Sequence, residues 1–169
     1  MKRLAIILMA ALVALVSCNK EEGNLDGRWN APRHPGGDDY VYSFVFKGNT
    51  LDIYVIAYGW HCTGTYTYSN NVVKYNITGI QQSLSEVEYD SEGKNVIGYS
   101  GGGMGSLNQE TLEPVEGNEW YDLGITRKDL LDEYKDNYAS FTFKKTSATT
   151  AECDIMAGPE DTFTFTKQK

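Results

Sequence analysis

Cysteine, histidine and proline are scarce in this chain, which has three Cys, two His and four Pro among 169 residues. Cys18, Cys62 and Cys153 lie far apart, and His61 beside Cys62 does not complete a zinc-ligand spacing. An oxidising compartment would permit a Cys62–Cys153 bridge, but that spacing does not require one. Basic side chains are also few, 15 against 23 acids, for a formal charge of −8. That balance has the wrong sign for nucleic acid or anionic lipid, which bind through Lys and Arg. The acids show no EF-hand spacing, and Gly101-Gly102-Gly103 lacks the Lys and following helix of a phosphate cradle. The composition therefore implies neither metal nor cofactor.

Long apolar runs are missing too, except for Leu4 through Val16 behind Lys2 and Arg3. This run is shorter than the ~20 residues of a transmembrane helix and fits a secretory signal. Leu15-Val16-Ser17-Cys18 closes it and resembles the lipobox of bacterial lipoproteins. The resemblance implies cleavage before Cys18 and lipid attachment to its thiol. The chain then divides into a signal peptide (1–17), a lipid-anchored tether (18–24) and a domain (25–169). Asn19-Lys20-Glu21-Glu22 resembles the Lys-acidic-acidic export signal of Bacteroidetes-type surface lipoproteins, which implies an outer-membrane, surface-exposed address. By charge alone it is a solvated tether, compatible also with a periplasm-facing anchor. Either way the acyl chains would hold the chain at a membrane without spanning it.

What the domain does have is tyrosine, 12 in all, with Val, Ile, Thr and Phe in alternating runs. That is β-protein composition. Tyr40, Tyr42, Phe44 and Phe46 alternate, and Gly48-Asn49 supplies a two-residue hairpin turn. The turn pairs Phe46 with Leu51 and places Leu51, Ile53, Val55 and Ala57 on the same face. A second turn at Gly59-Trp60 pairs Ala57 with Cys62, and a third at Asn70-Asn71 pairs Tyr66 with Tyr75. The three turns give one continuous apolar face. Phe141 and Phe143, then Ala151, Cys153 and Ile155, then Phe163 and Phe165 repeat the pattern, with a three-residue loop expected at 146–148. Residues 79–120 are looser, with a short strand over 95–99. Thr126 and Asp129 have capping-box spacing ahead of the stripe Leu130, Tyr134, Tyr138, which predicts one helix. Val41, Val45, Tyr54, Ile56 and Tyr58 leave an apolar patch outside the sheet, and this helix is its expected cover, with a protein partner as the alternative.

Leu25-Asp26-Gly27-Arg28-Trp29 resembles the Gly-x-Trp motif that opens the first strand in the lipocalin-like superfamily, and Gly64-Thr65-Tyr66-Thr67-Tyr68 with Asn70-Asn71-Val72-Val73 resembles a strand-turn-strand of its small bacterial lipoproteins. The resemblance covers about 25–80 and 139–167. It implies an all-β, up-and-down antiparallel barrel of about eight strands with one packed α-helix. Gly27 and Trp29 would be structural, with Trp29 plugging the closed end. Where lipocalins pack an Arg on that Trp, this chain offers Lys167 or Lys169.

The open end would then carry Tyr40 and Tyr42, with Trp60 and His61 at its turn and Trp120 reaching it from the loop. These five form a candidate aromatic mouth for a small apolar or carbohydrate ligand. Buried aromatics that merely fill the barrel are the competing reading. Gly98-Tyr99-Ser100-Gly101-Gly102 matches Gly-x-Ser-x-Gly, but no helical periodicity follows it, and only His34 or His61 could serve as base. The expectation is a non-catalytic binding lipoprotein without cofactor. Its partners would be a small molecule or glycan and the membrane, but not nucleic acid. The alternative is a filled barrel that acts as a protein-interaction or inhibitor module.

Overall fold

Alternation of apolar and polar residues sets every wall of the fold. The computed structural model describes residues 24–32, 40–93, 96–122, 132, 134–136, 138–155 and 162–169. Cys18, the tether, Thr126, Asp129 and Leu130 lie outside that set. The strands are β1 (Gly27–Pro32), β2 (Tyr40–Lys47), β3 (Thr50–Val55), β4 (Trp60–Ser69), β5 (Val72–Leu84), β6 (Glu86–Tyr89), β7 (Val96–Ser100), β8 (Glu119–Asp122), β9 (Ser140–Lys145), β10 (Thr150–Cys153) and β11 (Phe163–Lys167). Hydrogen bonding runs β4-β3-β2-β1-β11-β10-β9-β5, and β5 closes on β4. The result is an eight-stranded antiparallel barrel in up-and-down order. The segment from β6 to residue 139 is inserted between its fifth and sixth wall strands.

The Gly48-Asn49 and Asn70-Asn71 turns form as expected, with Phe46 opposite Leu51 and Tyr66 opposite Tyr75. Asn70 and Asn71 both take positive φ, 52° and 62°, the geometry of a tight hairpin turn. Two expected registers move by an even number of residues and so keep the inner face. Ile56–Tyr58 forms a 3-10 turn ending at Gly59, so Cys62 faces Ile53 instead of Ala57. The β9–β10 loop centres on Ala148, so Phe143 faces Cys153 instead of Ala151. A third feature changes parity. Thr78 is an extra residue in β5, between the pairs Ile77–Gly64 and Gly79–Thr63. This bulge turns Ile80 and Gln82 to the side where Gly79 and Gln81 would otherwise have been.

The lumen is packed with aromatic rings. The Phe44 ring lies 4.4 Å from Phe165, 5.6 Å from Phe141 and 6.0 Å from Phe143, and Phe46 meets Tyr66 at 5.0 Å. At the Gly27 end, fully buried Trp29 packs edge-on to Phe143 at 5.4 Å, and its Nε1 donates to the Leu25 carbonyl. Lys167 Nζ lies over the indole at 5.4 Å, a cation–π contact. Gly27 makes room for it: φ is +116°, and a Cβ there would come within 2.7 Å of Lys167 Cε.

Of the apolar patch expected outside the sheet, Val45, Tyr54 and Ile56 are covered, among the described residues by a loop, while Val41 packs on the barrel core and Tyr58 is exposed. Ile56, with Val45 and Tyr54, packs under Leu107 and Leu112 of the loop between β7 and β8 and beside Trp120. Arg28 pins this strap through the carbonyls of Gln109 and Glu110, while its Nε bonds Asn30 and Ser43 at 3.0 and 3.1 Å. Gly59 allows the strap to pass, because a Cβ there would sit 2.1 Å from Ser106 Oγ. The helical residues, 132, 134–136 and 138, instead send Tyr134 and Tyr138 into the barrel core. β9 pairs with β5 at 72–74, and the Tyr75 N–H donates to the Ala139 carbonyl. Among the described residues that edge of β5 next pairs with β8 at 81–84, so Tyr134 and Tyr138 meet the core beside the gap between them.

Candidate functional site

Tyr42, Val55, Trp60 and Gln82 occupy one level of the barrel, in register across β2, β3, β4 and β5. This is the end opposite Trp29. Tyr42 meets Phe163 edge-on at 5.0 Å, Trp60 meets Tyr134 edge-on at 4.7 Å, and Tyr134 stacks on Tyr138 at 5.3 Å. Tyr58 lies 5.2 Å from Trp60 and is 56% exposed at the rim. The mouth is thus an aromatic floor roofed by two tyrosines of the helical segment.

One polar atom in this mouth has no partner. Trp60 Nε1 is buried and makes no hydrogen bond. The Gln82 amide beside it is buried and donates instead to the Tyr58 carbonyl at 3.2 Å. The other two indoles are both bonded, Trp29 to Leu25 and Trp120 to Glu113. A buried donor without an acceptor costs about 1–3 kcal/mol, so the mouth is built with an unmet demand for an oxygen.

The described groups that act on the mouth tyrosines are phenols and thiols. Burial pushes the Tyr42 hydroxyl up to about 12, and Tyr58 and Cys153 add to the effect. Tyr138 is raised by burial and then by Tyr42, Tyr134, Cys62 and Tyr58. Cys62 and Cys153 are free, buried thiols, with Cys62 pushed up to about 12 by burial and Cys153 raised for the same reason. They stand on β4 and β10, which are not neighbours in the barrel.

The five residues expected at the mouth therefore separate. Tyr42 and Trp60 meet there, and Tyr40 opens β2 opposite Pro32, its side chain outside the described set. His61 and Trp120 lie outside the barrel, because strand alternation sends adjacent Trp60 and His61 to opposite faces. There His61 stacks on Tyr54, with centroids 4.2 Å apart, and Trp120 stands 5.4 Å away. Gln82 and Tyr58 are mouth residues that the sequence did not suggest. Tyr134 and Tyr138 were visible only as a helix stripe.

Ser100 ends β7 and shares a hydrogen bond with Ser85 Oγ at 3.3 Å, while His61 is held by Asp52 on the barrel wall. The Gly-x-Ser-x-Gly letters fall on a β-ribbon and a glycine loop, not on a strand-turn-helix. A cleft of about 740 Å³ beside the strap is lined by Arg28, Asn30, Gln109 and Gln168. Its guanidinium already holds the strap. Comparison with protein-family models, with curated proteins and with solved structures finds no match to this chain.

Proposed function

We propose that this chain is an envelope lipoprotein whose barrel binds a small, uncharged, oxygen-bearing ligand at its aromatic mouth. The unpartnered Trp60 Nε1 carries the reading: a sugar hydroxyl or carbonyl oxygen would satisfy it, and a pure hydrocarbon would not. Tyr42, Tyr134 and Tyr58 supply ring faces and hydroxyls suited to a sugar ring or a small planar carbonyl compound. The described lining of phenols and an indole suits an uncharged ligand better than a carboxylate or phosphate, whose burial is costly. The solid interior below Tyr42 limits the ligand to the mouth and rules out a long acyl chain threaded through the described core. The lipobox at Cys18 supports tethering at the Trp29 end, with the mouth facing away from the lipid. A thermal-shift screen of monosaccharides and neutral carbonyl compounds against wild type and Trp60→Phe tests the reading. Stabilisation of wild type alone supports it; equal shifts in both, or none from any compound, overturn it.

A second reading rests on the β6–β7 ribbon. Tyr89, Ile97 and Tyr99 are 44%, 63% and 57% exposed there, an unusual apolar display for a two-stranded element. That face supports a protein-interaction role of the kind a filled barrel would serve.

A further inference from the structure

The outer wall beside the strap holds a second cluster with different chemistry. Tyr54 and His61 face each other across β3 and β4, their rings 4.2 Å apart and within 5° of parallel. Trp120 on β8 closes the group, 5.4 Å from His61 and 6.4 Å from Tyr54. Two polar edges of the trio meet carboxylates. Asp52 Oδ1 is 3.2 Å from His61 Nε2, and Trp120 Nε1 donates to Glu113 Oε2 at 3.4 Å. Both acids also act on Tyr54, whose hydroxyl is pushed up to about 12 by burial first and then by Asp52 and Glu113. Arg28 acts against them on Tyr54, and among the described residues its nitrogens bond Asn30, Ser43 and the strap carbonyls. The cluster remains open to solvent, with 34% of the Asp52 side chain and 14% of His61 exposed, and Glu113 exposed on the strap.

Two like-signed fields coincide there. Ring faces are the negative poles of the aromatic quadrupole, and two carboxylates add full charges at the ring edges. A metal ion is not what this set selects: among the described residues, no three His, Cys, Asp or Glu side chains lie close enough to hold one. A neutral sugar would leave the carboxylates uncompensated. What fits is a diffuse positive charge with an apolar surface.

We propose that Tyr54, His61, Trp120, Asp52 and Glu113 form a binding site for a small organic ammonium ion, separate from the mouth. Trp60 and His61 then serve two sites from adjacent positions of one strand, one neutral and inside, the other acidic and outside.

Calorimetric titration of the full chain with choline and with its uncharged isostere 3,3-dimethylbutan-1-ol tests the site. Choline should bind saturably and roughly tenfold more tightly than the alcohol, the ratio a partly desolvated cation–π contact provides. Glucosamine should likewise exceed N-acetylglucosamine. Asp52→Asn and Glu113→Gln should each weaken choline several-fold, and Trp60→Phe should leave it unchanged. Glu113 is exposed, so its variant keeps the test readable even if Asp52→Asn folds poorly. Measured in Trp60→Phe, where the mouth lacks its donor, equal affinity for choline and the alcohol, a preference for the acetylated sugar, or choline binding that survives Glu113→Gln intact would overturn the proposal.

Discussion

Truncating Phe44 measures how solid the barrel is. The ring is fully buried and has Phe165, Phe141 and Phe143 within 6.0 Å of its centroid. Phe141 and Phe143 stand on β9 and Phe165 on β11, neither of which pairs with β2, so the wall cannot collapse onto the vacancy without disturbing its ladders. Phe44→Ala should therefore cost about 4 kcal/mol, near the middle of the range for a buried Phe that leaves a cavity. Phe44→Leu keeps most of the volume and should cost about 1 kcal/mol. In a domain of this size, about 4 kcal/mol corresponds to a Tm lower by roughly 8–16 °C. Urea unfolding followed by far-ultraviolet circular dichroism gives the free energy, with an unchanged denaturant slope showing that the folded state is the same. A loss below about 1 kcal/mol for Phe44→Ala would refute the reasoning, since it would mean that the ring borders open space.

Three further outcomes follow from specific contacts. Arg28→Ala should cost about 2–3 kcal/mol, because buried Asn30 and Ser43 and two strap carbonyls lose a charged donor; amide exchange should quicken at Ser106 and Val115, whose amides are bonded within the strap. Alkali should unfold the protein. Tyr42, Tyr54 and Tyr66 are each raised from 10 to about 12 in the fold, so they release protons first from the unfolded chain. The stability they contribute is complete below pH ~10 and is lost as pH rises toward ~12. Absorbance at 295 nm should then show a part of the tyrosinate rise that coincides with loss of structure, whereas a rise completed for all tyrosines in a still-folded protein would contradict the burial. Cys62 and Cys153 should resist a thiol reagent at neutral pH in the folded state and both react in denaturant, since burial disfavours the thiolate.

Much of the barrel was legible because period-two alternation carries face information that survives errors of position. The turn near residue 59 and the loop near residue 148 lie away from their expected places, yet both errors are even, and Cys62, Phe143, Ala151 and Cys153 still face inward. The bulge at Thr78 was not legible, because one extra residue leaves no mark in a strand whose polar and apolar letters already alternate on both sides of it. Gln82 was missed for that reason. The helix was assigned to the wrong partner because local periodicity identifies an apolar stripe but not the surface that receives it. That surface is set by where β9 stops pairing with β5, a long-range fact. His61 was placed at the mouth by its closeness in sequence to Trp60; with the turn moved back, it becomes an ordinary strand residue facing out. Trp120 joined it there through β8 pairing with the upper half of β5, which the loose composition of 79–120 concealed.

The claim at the centre of this account is that the mouth holds an indole N–H waiting for an acceptor. The chain has three tryptophans, and their indole resonances in a ¹H–¹⁵N spectrum can be assigned by Trp→Phe substitution. The Trp60 signal should lie upfield of the hydrogen-bonded Trp29 signal in the free protein. It should move downfield, alone among the three, when a neutral oxygen-bearing ligand from the screen is added. A Trp60 signal that is already downfield, or one that stays fixed while a ligand binds elsewhere, would contradict the claim.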